Sequence, residues 1–281
     1  MKSLKCSRVW LVLIAVLVVA VPLIGSSPVG AITNGMIDED HLYVGALIFD
    51  FPPPIDIGLD FGWCSGTLIS PTAFLTAGHC FFLASLQTGL PMDAIPIDDL
   101  FISLASNILD RKSWRPVASY ETHPDFFVPA GGPFGGGNFH DVAVVFLDKP
   151  VKKVAPGTLA PLGLLTDLEA SGELLKAKFT VVGYGMNEDL ELTGDRRTAS
   201  SRFLSPLYDN YLALSRAGQE NGGACFFDSG GPAIIEVGGT EYVVAVHALA
   251  ANFECEGPFW DFRVDTAVSE AFIVAAIASN G

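Results

Sequence analysis

Basic side chains are scarce. The 281 residues carry 16 Lys and Arg against 31 Asp and Glu, a formal charge of −15. A chain this acidic lacks the cationic surface that phosphate backbones and anionic lipids attract, so no nucleic-acid partner and no stable membrane association is expected. Cysteine is sparse too, five in all, and the close paired spacing of a zinc site is missing. No ligand-spaced acidic motif points to calcium, so no metal and no cofactor is expected. Fixed-period repeats are absent. Long apolar runs are absent with one exception, residues 9–20, extended through Pro22 to Ile24.

That run follows Lys2, Lys5 and Arg8 and is followed by small residues, the layout of a secretory signal peptide. Its shortness and its proline weigh against the alternative, a retained anchor. Val29-Gly30-Ala31 supplies a small-residue cleavage site, and a cut near Ser26 that leaves a short propeptide is the other option. Loss of residues 1–31 removes three basic and no acidic side chains, which takes the charge from −15 to −18. Cys6 leaves with the leader. The four remaining cysteines, in an exported protein, imply disulfides with three possible pairings.

From Ile32 onward, short apolar runs are broken by Gly, Pro and Asn, which predicts strands and turns. Strands are expected over 43–49, 63–70, 73–77, 142–147, 179–185, 242–248 and 262–265. Loops are expected up to residue 62 and over 125–138, the latter near the mouth of a site. The mixed charges of 187–197 read as a solvated face. Residues 149–161 are the expected link between two halves. Apolar residues at helical spacing over 269–279 predict a C-terminal helix packed on the second half.

Three blocks carry chemistry. Asp228-Ser229-Gly230-Gly231 sets a serine on a tight turn, where glycine lets backbone N–H groups approach a substrate. Serine alone is a poor nucleophile and needs a base and an orienting acid. His79, in Leu75-Thr76-Ala77-Gly78-His79-Cys80, and Asp141, ahead of the apolar Val142-Ala143-Val144-Val145-Phe146-Leu147, supply both. Lone histidines are ordinarily satisfied surface or core groups, and His41, His123 and His140 keep that reading.

Together, in the order His, Asp, Ser, these blocks resemble the chymotrypsin/trypsin-like serine endopeptidases. The resemblance implies an all-β fold of two six-stranded antiparallel β-barrels with a catalytic cleft between them and a C-terminal helix. The N-terminal barrel would span about 32–150 and the C-terminal barrel about 162–281. It casts His79 as base, Asp141 as its orienting acid and Ser229 as nucleophile, with the N–H groups of Phe227 and Ser229 in the oxyanion hole. Here the chain departs from the family, which has glycine where Phe227 stands.

The resemblance also selects the pairs Cys64–Cys80 and Cys225–Cys255, each closing a loop of a size worth about 3 kcal/mol. Ile32-Thr33-Asn34-Gly35 resembles the new N-terminus of an activated member, whose α-amino group would pair with Asp228. At the family's pocket floor stands Gly223, so no carboxylate awaits Lys or Arg. Ala248, Ala250 and the region of Phe259 would form walls of a shallow apolar pocket for small or medium uncharged side chains. The implied function is a secreted, monomeric serine endopeptidase acting on polypeptides. Two other classes compete: a non-catalytic relative kept as a binding module, which Phe227 favours, and an esterase using the same triad.

Overall fold

The computed structural model describes residues 32–52, 62–127, 139–216, 222–252 and 254–280. The expected leader, and all or most of the loops expected before residue 62 and over 125–138, lie outside them. The first barrel comprises β2 (Val44–Phe49), β3 (Gly62–Leu68), β4 (Ala73–Thr76), β5 (Leu100–Ser103), β6 (Arg115–Thr122) and β7 (Ala143–Leu147). They close in the order β2-β3-β4-β7-β6-β5, every pairing antiparallel. Every residue of β2, β3, β4 and β7 is buried, which is why β2, β4 and β7 read as nearly continuous apolar runs. Leu47, Phe49, Phe74, Phe81 and Val145 form the core of this barrel.

The second barrel comprises β8 (Lys178–Gly183), β9 (Arg197–Phe203), β10 (Tyr211–Ser215), β11 (Pro232–Val237), β12 (Thr240–Ala250) and β13 (Phe259–Arg263). The β8–β9 pairing closes it, and β1 (Met36–Ile37) is added on the outside of β9. The stretch from Ile32 to Ile37, assigned by sequence to the first barrel, therefore belongs to the second. Ile32 is fully buried there among Phe179, Leu214 and Phe259.

Among the described residues three α-helices accompany the barrels: α1 (His79–Thr88), α2 (Leu164–Ala170) and α3 (Ala267–Asn280). The expected C-terminal helix is α3, but its docking differs from expectation. It begins on the second barrel, where Ser269 Oγ donates to the Arg263 carbonyl at 2.7 Å. It ends on the first, where the Ser119 hydroxyl donates to the Asn280 side chain at 2.9 Å and Phe272 packs 5.0 Å from the His123 ring. Phe272, Ile273 and Ala276 join Val144, Phe146, Val182, Val246 and Phe262 in one cluster drawn from both barrels. Burial on this scale contributes about 1.5–3 kcal/mol per large side chain.

The charges of 187–197 are not all solvated. Arg196 is 1% exposed and its Nε donates to Asp38 at 2.9 Å, while His41 holds the other oxygen of the same carboxylate. Burial raises the Asp38 carboxyl, but His41 and Arg196 overcome that and hold it below the usual carboxylate range. Unpaired, Arg196 would be too costly to bury. The network ties the segment before β2 to the one before β9.

Candidate active site

His79 is the first residue of α1, and Cys80 beside it is bonded to Cys64 on β3. Asp141, 4% exposed at the foot of β7, receives His79 twice. The backbone N–H donates to Oδ1 at 2.8 Å and the imidazole Nδ1 meets Oδ2 at 2.7 Å. Both carboxylate oxygens are thus committed to one residue, which fixes the ring and leaves Nε2 as its free nitrogen. Burial pulls the His79 pKa down, but the charge and hydrogen bond of Asp141 outweigh it and the net shift is upward. His140, just before Asp141, has φ of 43° and stacks on His123 at 4.4 Å; neither ring is placed against His79 by a described contact.

Ser229 stands on the turn between β10 and β11, where Gly231 N–H donates to the Asp228 carbonyl at 2.8 Å and Gly230 N–H to His247 at 2.8 Å. Gly230 has φ of 82°, and a Cβ there would collide with Thr76 Oγ1 and the Ser65 carbonyl. Only glycine lets the serine loop seat directly on β3 and β4 of the other barrel. Ser229 and His79 line one cavity of about 610 Å³. Among the described residues no hydrogen bond joins them, as is common before substrate binds.

Phe227 has φ of 72°, a left-handed backbone that costs a non-glycine residue about 1–2 kcal/mol. Its carbonyl accepts from Ser65 Oγ at 3.1 Å and its ring lies 5.0 Å from Trp63. The preceding carbonyl, of Phe226, accepts from Met186 N–H at 2.8 Å. In a trans peptide the N–H points opposite the C=O, so the Phe227 N–H is turned away from Met186. Neither it nor the Ser229 N–H has an acceptor among the described residues.

Asp228 is fully buried and accepts from Gly185 N–H at 2.7 Å and Cys225 N–H at 2.8 Å. Burial nevertheless pushes its carboxyl up to about 6, against those hydrogen bonds and the charges of His247 and Arg216. Five residues earlier, Gly223 pairs with Thr33 through two backbone hydrogen bonds of 3.1 and 3.2 Å, which brings the Ile32 segment into this region. Cys225 is bonded to Cys255.

The cavity beside Ser229 has Ala248 and Ala250 in its wall, together with Ala224. Gly223 is not part of the lining. The Arg216 side chain and the Phe259 ring close against its Cα, where a Cβ would strike both. Three polar residues at this end have no counterpart in the sequence expectations: Arg216, His247 and Asp261. The available signal was a lone ionisable residue in an apolar strand, since such a group must find a partner when buried. His247 interrupts Val-Ala-Val-His-Ala-Leu-Ala and Asp261 interrupts Phe-Trp-Asp-Phe; the strand register then sets the two opposite each other.

A sequence model described as Trypsin matches residues 54–271, most of the chain. No curated protein matches it. The match agrees with two closed six-stranded antiparallel barrels, with a C-terminal helix and with His79 and Ser229 on one cavity: the chain belongs to the trypsin family, whose members are serine-type peptidases acting on polypeptides.

Proposed function

We propose that this protein is a secreted serine endopeptidase in which Ser229, His79 and Asp141 form the catalytic triad. The observation that carries the reading is the double attachment of His79 to Asp141 beside the cavity that holds Ser229. His79 Nε2 takes the Ser229 proton as Oγ attacks the peptide carbonyl, and the imidazolium formed is stabilised by Asp141. The oxyanion is received by the N–H groups of Phe227 and Ser229, which have no acceptor among the described residues to surrender. His79 then gives its proton to the leaving amine, the acyl-enzyme forms on Ser229, and a water activated by the same imidazole hydrolyses it.

Secretion rests on the leader-like residues 1–31 and on the two disulfides, Cys64–Cys80 and Cys225–Cys255. Among the described residues no helix is long and apolar enough to cross a membrane. The mature chain begins at Ile32, whose freed α-amino group enters beside Asp228 and neutralises it. N-terminal sequencing of the exported protein should return Ile-Thr-Asn-Gly; any other start overturns this step. The function itself is tested with a fluorophosphonate probe and a peptide substrate beside Ser229→Ala. Labelling and hydrolysis confined to the native protein are expected, and a folded native protein that does neither would leave the fold without its chemistry.

A further inference from the structure

The pocket end nearest Asp261 combines apolar walls with unsatisfied polar atoms. His247 Nδ1 meets Asp261 Oδ1 at 3.0 Å, and both residues line the cavity beside Ser229. They are 2% and 0% exposed. His247 Nε2 and Asp261 Oδ2, the two atoms left over, have no partner. A buried polar atom without a hydrogen bond costs about 1–3 kcal/mol, so two in one pocket are a demand for a ligand that supplies them.

The charges around these atoms decide which ligand. Asp261 is anionic, which disfavours a carboxylate side chain in the pocket. Arg216 lies behind, 5.0 Å over the Phe259 ring, its guanidinium bound to the carbonyls of Cys255, Gly257 and Ala224. Asp261 and Asp228 act on it electrostatically, yet burial still pulls it down, to about 10. This cation disfavours a second one, and it closes the pocket at Gly223, which limits depth. With Nδ1 turned to Asp261, His247 presents Nε2 to the pocket beside the carboxylate oxygen Asp261 Oδ2. A carboxylate oxygen and a ring nitrogen side by side, between one buried anion and one buried cation, suit a neutral side chain that can both donate and accept.

We propose that the residue preceding the scissile bond is a carboxamide, Gln or Asn, whose NH₂ donates to Asp261 Oδ2 and whose amide group also hydrogen-bonds His247 Nε2. This rests on the endopeptidase reading and replaces the purely apolar pocket expected from Gly223, Ala248 and Ala250. A site built to hydrogen-bond a polar group rejects analogues without it more strongly than an apolar pocket separates two hydrocarbons.

The test uses the chain beginning at Ile32 and peptides identical except at that one residue. With Gln or Asn, kcat/KM should exceed that with Leu or Met by about 10²-fold or more, and should also exceed that with Glu or Lys. Parity with Leu, or a lead by Glu or Lys, overturns the proposal, and resident water bonded to both atoms would give that parity. Asp261→Asn replaces an acceptor with a donor and should shift the Gln-to-Glu preference about tenfold or more toward Glu. Because that preference is a ratio within one sample, it does not depend on the fraction folded. Fluorophosphonate labelling separates the layers: a labelled Ser229 without carboxamide preference defeats the specificity alone, whereas no labelling defeats it together with the endopeptidase reading.

Discussion

Two buried aspartates flank the cleft, and their partners differ. Asp141 in the first barrel spends both oxygens on His79, a residue the fold itself delivers. Asp228 in the second barrel has backbone N–H groups on both oxygens and is still pushed up to about 6 by burial. The base half of the site is complete within the chain. In the proposed reading the nucleophile half, with Asp228, the left-handed Phe227 and the unpaired His247 and Asp261 atoms, is finished only by a freed α-amine, a substrate carbonyl and a substrate side chain.

Removing the nucleophile should have the largest effect. Ser229→Ala is expected to lower kcat by about 10⁶-fold, measured on any cleaved peptide; a residual rate near native would move the chemistry elsewhere. Asp141→Asn should cost about 10⁴-fold, as the same change does in the trypsin triad, because the imidazole loses the acceptor that fixes its tautomer. The pH dependence follows from the same pair. In the proposed mechanism His79 is a neutral base with a raised pKa, so kcat/KM should climb with pH through a value above the ordinary histidine 6.5. Asp141→Asn should move that climb to lower pH, and an unmoved limb would assign it to another group.

The Asp228 half is probed through stability. In a chain with one residue left ahead of Ile32, the folded state keeps the Asp228 proton to about pH 6, whereas the unfolded chain releases it near 3.8. The fold binds more protons in that window, so stability is highest below it and falls as pH rises across it. The loss is on the order of 3 kcal/mol. A chain beginning at Ile32 should lack most of this fall, since its amine pairs with the ionised carboxylate. Urea unfolding at pH 4 and 7 on both chains gives the difference, in which the titrations of His79 and Asp38 cancel; equal curves would break the contrast between the aspartates.

The smallest effect isolates the strain at Phe227. Both Phe227→Ala and Phe227→Gly lose the ring packed on Trp63, but only glycine accepts φ of 72° freely. The glycine variant should therefore be more stable than the alanine variant by about 1 kcal/mol, the reverse of their order in ordinary backbone. The usual order, read by thermal unfolding, would mean that the left-handed conformation is not kept.

The sequence made the base half of the site far more legible than the nucleophile half's surroundings. His79, Asp141 and Ser229 sit in contiguous motifs whose neighbours name their roles. The strands β2, β3, β4 and β7 announced themselves because they are buried on both faces. In contrast β6 and β9, Arg-Pro-Val-Ala-Ser-Tyr-Glu-Thr and Arg-Thr-Ala-Ser-Ser-Arg-Phe, are only partly buried and carry no apolar run. The partner of α3 was hidden because a helical stripe gives the face that is buried and says nothing of which barrel covers it. Arg196 with Asp38 and Arg216 over Gly223 depend on tertiary approach across an acidic, loop-rich chain, and His247 with Asp261 on a register set through an irregular strand connection.

The most direct measurement is the rate of fluorophosphonate labelling at Ser229 in the chain beginning at Ile32 and in the same chain with one residue added before it. Rapid, stoichiometric labelling of the first is expected, with labelling slower by at least about 10²-fold in the second, the loss of one oxyanion donor. Equal rates would show that Ser229 and its oxyanion donors are finished without the freed amine; no labelling of either chain would contradict the catalytic assignment itself.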